Sequence, residues 1–310
     1  MRIAWGLIGL GMLLPAACKA QTYPTLASGV LEYFSIDDPA TRGFSYDLAW
    51  GEANVRLSPN VNLVTSFVDW GGYGKSDLAF DEAYGRYDLG DLSFRVGRFL
   101  TAFGFTDWSD RMYNGINWTP LVLDSPLGGG RSAVNHDAGV EATYVKGDVQ
   151  VQASAVDSNL AGDQISPKKL NYGTLRVQES IGNALLAEDF LGDTGGSDAM
   201  YGADLRWTWP HLEVWSEVLK GAGTESDWGY FVQGMYRLPK LDRTQLVART
   251  EELDTDEYGT TQIHTVGIRQ VFNRYLTANL NYGWGAGIPY DSYDAARVGW
   301  SLRTMLMVRF

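Results

Sequence analysis

From about residue 28 to the end of the chain, apolar and polar residues alternate with a period of two. Residues 296–310 show it most fully. Ala296, Val298, Trp300, Leu302, Thr304, Leu306, Val308 and Phe310 share one face, while Arg297, Gly299, Ser301, Arg303, Met305, Met307 and Arg309 share the other. Such alternation describes a strand with one apolar and one wet face. It recurs at 275–284, where Leu276, Ala278, Leu280, Tyr282 and Trp284 oppose Thr277, Asn279, Asn281 and Gly283. The pattern predicts about fourteen strands, near 28–36, 46–57, 60–70, 77–88, 91–100, 136–145, 148–157, 199–209, 211–220, 227–238, 242–252, 261–272, 275–285 and 296–310.

A two-layer sandwich also alternates, so the connections decide the class. Every second one is tiny and turn-rich: Ser58-Pro59-Asn60, Gly90-Asp91, Lys146-Gly147-Asp148, Pro210-His211, Pro239-Lys240 and Asn273-Arg274. The others are longer, and two, at 101–135 and 158–198, are very long. Short turns at one end and long loops at the other are the mark of a transmembrane antiparallel β-barrel, with the turns periplasmic and the loops extracellular. Boundary error leaves the strand number between 12 and 16 (roughly two to four residues at each end). Aromatic residues sort to both strand ends. Tyr87, Tyr144, Trp209, Tyr236, Phe272, Tyr275 and Phe310 lie at the short-turn end, and Trp228, Tyr230 and Trp284 at the other. Two interfacial belts give this distribution.

The composition narrows the function. Hydrophobic residues make up 45% of the 310, yet mean hydropathy is −0.18 and no apolar run is long enough for a membrane helix. A net charge of −12 and a pI near 4.7 argue against nucleic acid, which needs a basic face. The single cysteine, Cys18, excludes a disulfide framework. Met1-Arg2, the apolar stretch 3–14 and Pro15-Ala16-Ala17-Cys18-Lys19-Ala20 read as a secretory signal peptide over 1–20, with the barrel over 21–310. Pro15 stands where bacterial lipoprotein signals usually carry Leu, so cleavage after Ala20 is expected over lipidation at Cys18.

The wet face of the strands carries ten arginines: Arg56, Arg86, Arg95, Arg206, Arg237, Arg249, Arg269, Arg297, Arg303 and Arg309. Eight acids share it: Glu32, Glu52, Glu82, Glu141, Asp204, Glu213, Glu217 and Glu251. Burying so many charges dry is costly, which points to a hydrated, pore-lining wall; the alternative is a plugged barrel whose charges pair across it. The segment 101–135 contains Trp108, Tyr113, Trp118 and Leu121-Val122-Leu123, so it is expected to fold into the barrel mouth. Its Asp107, Asp110, Trp118 and Asp124 would then form a constriction facing a basic wall that includes Arg297 and Arg303. Only three histidines occur, His136, His211 and His264. They do not converge as ligands would, so no metal, cofactor or enzyme activity is expected.

The alternating last strand ending in Phe310 resembles the assembly signal of bacterial outer-membrane barrels. This implies a Gram-negative source and contact with the barrel assembly machinery, outer-membrane lipid and lipopolysaccharide. Asp81-Glu82-Ala83-Tyr84, then Gly90-Asp91, then Val96-Gly97-Arg98-Phe99 and Phe103-Gly104 resemble the phosphate-selective porin O and P family over 81–105. The resemblance implies an aqueous channel, often a homotrimer, with a loop folded into the lumen after this element. Ala102 stands where that family often has Pro, no lysine-rich ladder is present, and its well-known members have sixteen strands. The expected function is passive diffusion of small hydrophilic solutes or ions. The alternatives are a gated substrate-specific transporter and a non-conducting adhesin or anchor.

Overall fold

The computed structural model describes residues 26–37, 42–70, 78–104, 115–116, 120–124, 136–157, 170–193, 199–221, 227–241, 243–256, 259–287 and 299–309. The leader expected at 1–20 lies outside them. Sixteen strands follow in chain order: β1 (Leu26–Asp37), β2 (Arg42–Ser58), β3 (Val61–Trp70), β4 (Leu78–Leu89), β5 (Leu92–Leu100), β6 (His136–Lys146), β7 (Val149–Asp157), β8 (Tyr172–Ile181), β9 (Ala184–Asp193), β10 (Ala199–Thr208), β11 (Leu212–Gly221), β12 (Trp228–Arg237), β13 (Thr244–Thr255), β14 (Gly259–Val271), β15 (Leu276–Ala286) and β16 (Gly299–Arg309). Each pairs antiparallel with its sequence neighbour, and β1 pairs with β16 (Glu32 opposite Met307), closing the barrel. Closure satisfies every ladder within the protein, as a hydrocarbon setting demands. Among the described residues, one short helical turn, α1 (Leu121–Asp124), falls between β5 and β6.

The observed number corrects the reading of 158–198 as one long loop. That stretch contains the β8–β9 hairpin, which leaves two shorter connections on either side. Alternation is present in β8, where Leu175 and Val177 are exposed and Thr174 and Arg176 buried. It is blurred in β9, where Ala184-Leu185-Leu186-Ala187 runs apolar on both faces and Glu188-Asp189 polar on both. The last strand begins at Gly299, so Arg297 lies outside the described residues.

Three hairpins share one turn chemistry. Gly90-Asp91, Gly147-Asp148 and Gly182-Asn183 each put a glycine with φ near +60° at the first of two turn positions. This is the placement that matches strand twist in a two-residue hairpin, and it needs a residue without Cβ.

The faces divide cleanly. In β16, Trp300, Leu302 and Leu306 are exposed, whereas Ser301, Arg303, Met305 and Met307 are buried. Exposed Tyr87, Tyr144, Trp207, Trp209, Tyr236, Phe272 and Tyr275 ring the short-turn end. Phe190, Tyr201, Tyr282, Trp284 and Trp300 lie toward the other. Trp207 stacks on Trp209 at 4.2 Å and Tyr282 on Trp284 at 5.8 Å, so the outer wall is apolar between two aromatic bands.

Candidate functional site: the inner wall

The period that turns Leu and Val outward turns charge inward. Arg95 on β5 lies opposite Glu141 on β6. Its Nε and Nη2 donate to the two carboxylate oxygens at 2.9 and 2.8 Å, a fork geometry that fixes both side chains. The same guanidinium sits over the rings of Phe99 (4.7 Å) and Tyr84 (5.4 Å). On β10, Arg206 Nε donates to Glu213 Oε1 at 2.5 Å and the guanidinium covers the Trp215 ring at 5.1 Å. Arg86 bonds Asp88 at 2.7 Å, next to the β4–β5 turn. Arg56 is exposed and donates to the Ser58 and Pro59 carbonyls.

Three further arginines, Arg249, Arg269 and Arg303, are buried on β13, β14 and β16. Arg249 lies 3.1 Å from Glu251. Arg237 and Arg309 end β12 and β16. Glu82 accepts the Leu100 amide at 3.1 Å, and Glu217 is buried on β11. The structure thus brings Arg95 to Glu141 and Arg206 to Glu213, and it places Arg86 across from Arg95 on adjacent strands.

The segment after β5 touches the opposite side of the barrel. The Leu121 amide donates to Glu251 Oε2 at 2.6 Å, and Asn281 Nδ2 donates to the Gly115 carbonyl at 3.0 Å. Gly104 (φ +68°) lies so close to Glu217 that a Cβ there would be 2.3 Å from its Oε1. Ile116, Leu121, Val122 and Leu123 are completely buried. They join Phe99, Phe103, Trp215, Leu219, Phe231 and Val247 in one apolar cluster. Asp107, Asp110 and Trp118 lie outside the described residues; for Asp124 only the backbone, in α1, is described.

One set of charges went unread in the sequence because it falls in the β8–β9 hairpin and its neighbour. Arg176 Nη1 donates to both Asp189 oxygens at 2.8 and 2.7 Å and to Asp204 Oδ2 at 2.6 Å. Its Nη2 adds a bond to Asp204 Oδ1 at 3.1 Å. All three residues are buried. Asp204 was in the inward set; its two partners were not.

Solved outer-membrane barrels share this architecture. A loop-deletion mutant of OmpT, an outer membrane protein of Vibrio cholerae, superposes with a TM-score of 0.65 at 13% identity, covering 93% of this chain and 99% of that one. The in-vitro folded OmpT trimer form gives the same TM-score, identity and coverage. A mutant of the Rh. blastica porin matches with a TM-score of 0.65 at 14% identity over 93% of this chain and 99% of that one. No family model matches the sequence, and no curated protein is similar to it. The fold is therefore that of the outer-membrane β-barrels.

Proposed function

We propose that this protein is a porin of the Gram-negative outer membrane, exported by the leader at 1–20, through which small hydrophilic solutes or ions diffuse passively. One observation carries the reading: a closed sixteen-strand wall is apolar outside and charged inside. A barrel of this size leaves an aqueous channel unless it is plugged. Arg56, Arg86, Arg95, Arg206, Arg237, Arg249, Arg269, Arg303 and Arg309 line the pore with Glu82, Glu141, Glu213 and Glu217, and Arg297 is assigned to the same wall. The segment 101–135 narrows the lumen, with Asp107, Asp110, Trp118 and Asp124 on the constriction. Sixteen strands match the number in the well-known members of the phosphate-selective porin O and P family, which supports porin membership; phosphate selectivity is not part of the proposal. Lipopolysaccharide and lipid surround the outer wall, the barrel assembly machinery inserts it, and the working form is a homotrimer.

The apolar cluster around α1 favours a second reading, a gated transporter in which residues 101–135 are the gate. Single-channel conductance of the refolded protein under a salt gradient separates the two. Steady, unsaturating conductance steps support the porin, and the reversal potential gives its ion preference. Saturable block by one solute favours the transporter, and a folded but silent barrel indicates an adhesin or anchor.

A further inference from the structure

The charges at the two ends of the barrel differ in sign. At the short-turn end, the inward phase carries Arg56, Arg86, Arg206, Arg237 and Arg309 within the last few residues of five strands. Among the described residues, the inward-phase acids on that rim are Asp88 and Glu213, each bonded to one of these arginines, and Glu179 stands there on the outward phase. The turns add Lys240, Arg243 and Arg274 against Asp91 and Asp148. The opposite rim is acidic: Asp137, Asp157, Asp193, Asp227 and Asp256 stand at or beside strand ends. Arg42, Arg98 and Lys220 are cations described at that end.

Rings of charge at the mouths of a narrow channel set the local ion population within about a Debye length, ~10 Å at 0.1 M salt. An acidic mouth fills with cations and a basic mouth with anions. We propose that this axial separation makes the pore a rectifier, with the arginine rim as its anion-rich end. The proposal rests on the porin reading and adds a direction to it. When the long-loop side is positive, cations enter through the acidic rim and anions through the basic one. Both accumulate in the lumen and conductance rises. The reverse polarity draws both species outward and depletes it. The asymmetry fades at 1 M salt, where the Debye length falls to ~3 Å.

The test uses single channels in a planar bilayer at 0.1 M potassium chloride. An epitope inserted in the 222–226 connection, with its antibody in one chamber, reports orientation. The expected result is a current larger by about twofold with the long-loop side positive, lost at 1 M salt. The triple variant Arg56→Gln, Arg86→Gln, Arg237→Gln, its folding checked by heat-modifiable mobility, should conduct almost symmetrically, and the corresponding lysine variant should keep the rectification. Symmetric currents from the native pore at low salt, or unchanged rectification in the glutamine variant, overturn the proposal while leaving the porin intact. Absence of any conductance overturns the porin reading itself, and the rectifier with it.

Discussion

The amide of Leu121 lies 2.6 Å from Glu251 Oε2, although 130 residues separate the two in sequence. A carboxylate receiving the first amide of α1 holds the turn against β13, and a charged acceptor makes the bond stronger than a neutral one. Glu251→Ala removes the acceptor and leaves a buried amide without it, a loss of about 1–3 kcal/mol. The expected outcome is a lower melting temperature and, for the porin proposed above, a flickering current in place of a steady one. Unchanged melting and current would show that apolar packing alone seats the segment.

Arg176 bridges two carboxylates, and its loss strands both. Arg176→Met leaves Asp189 and Asp204 buried side by side, a destabilisation of about 3–5 kcal/mol. Combining it with Asp189→Asn and Asp204→Asn should recover most of the loss. Denaturant titration of the barrel in lipid measures both steps, and failure of the triple variant to recover would assign Arg176 a packing role instead.

Gly104 has no room for a side chain. With φ at +68° and Glu217 Oε1 2.3 Å from the position of a Cβ, Gly104→Val must displace either Glu217 or the start of the segment after β5. Faster proteolysis within 101–135, in a barrel that keeps its β-sheet circular dichroism, is the expected readout.

Glu188 is an exposed acid on the outer face, between Val177 on β8 and Ala203 on β10. Leu186 and Phe190 flank it on its own strand, so it sits within the apolar band. A charge facing lipid near mid-depth costs up to about 2–4 kcal/mol for a base and less for an acid. Glu188→Leu should raise the unfolding free energy in lipid vesicles. A decrease would show that another protein surface covers this position.

Strand residues with strict alternation were legible from the chain alone, because an outer wall in hydrocarbon tolerates few exceptions to it. β16 is the clearest case: the two faces alternate as expected residue by residue from Trp300 to Met307. β9 was illegible for the opposite reason, since Leu185 falls on the inward phase, opposite Arg206, and Glu188 turns outward. A local sign did exist. Gly182-Asn183 repeats the Gly-Asp doublets at 90–91 and 147–148, which were read as turns. The Arg95–Glu141 and Arg206–Glu213 pairs depend on cross-strand register, and alternation specifies only the face, not the partner. The apolar inner surface at Trp215, Leu219 and Phe231 reflects what packs against it from another part of the chain, which no periodicity within β11 or β12 encodes.

The seam between β1 and β16 joins the earliest strand of the barrel to the last one synthesised. Until residues 299–309 are in place, a growing sheet has two raw edges, each a row of unanswered amides and carbonyls able to recruit a neighbouring chain. The most distant contact in sequence is therefore also the one that ends stickiness, and such contacts form slowly. A chain of this design depends on being kept apart from its siblings between synthesis and sealing, and a lesion in its final strand endangers every copy nearby as well as its own ring.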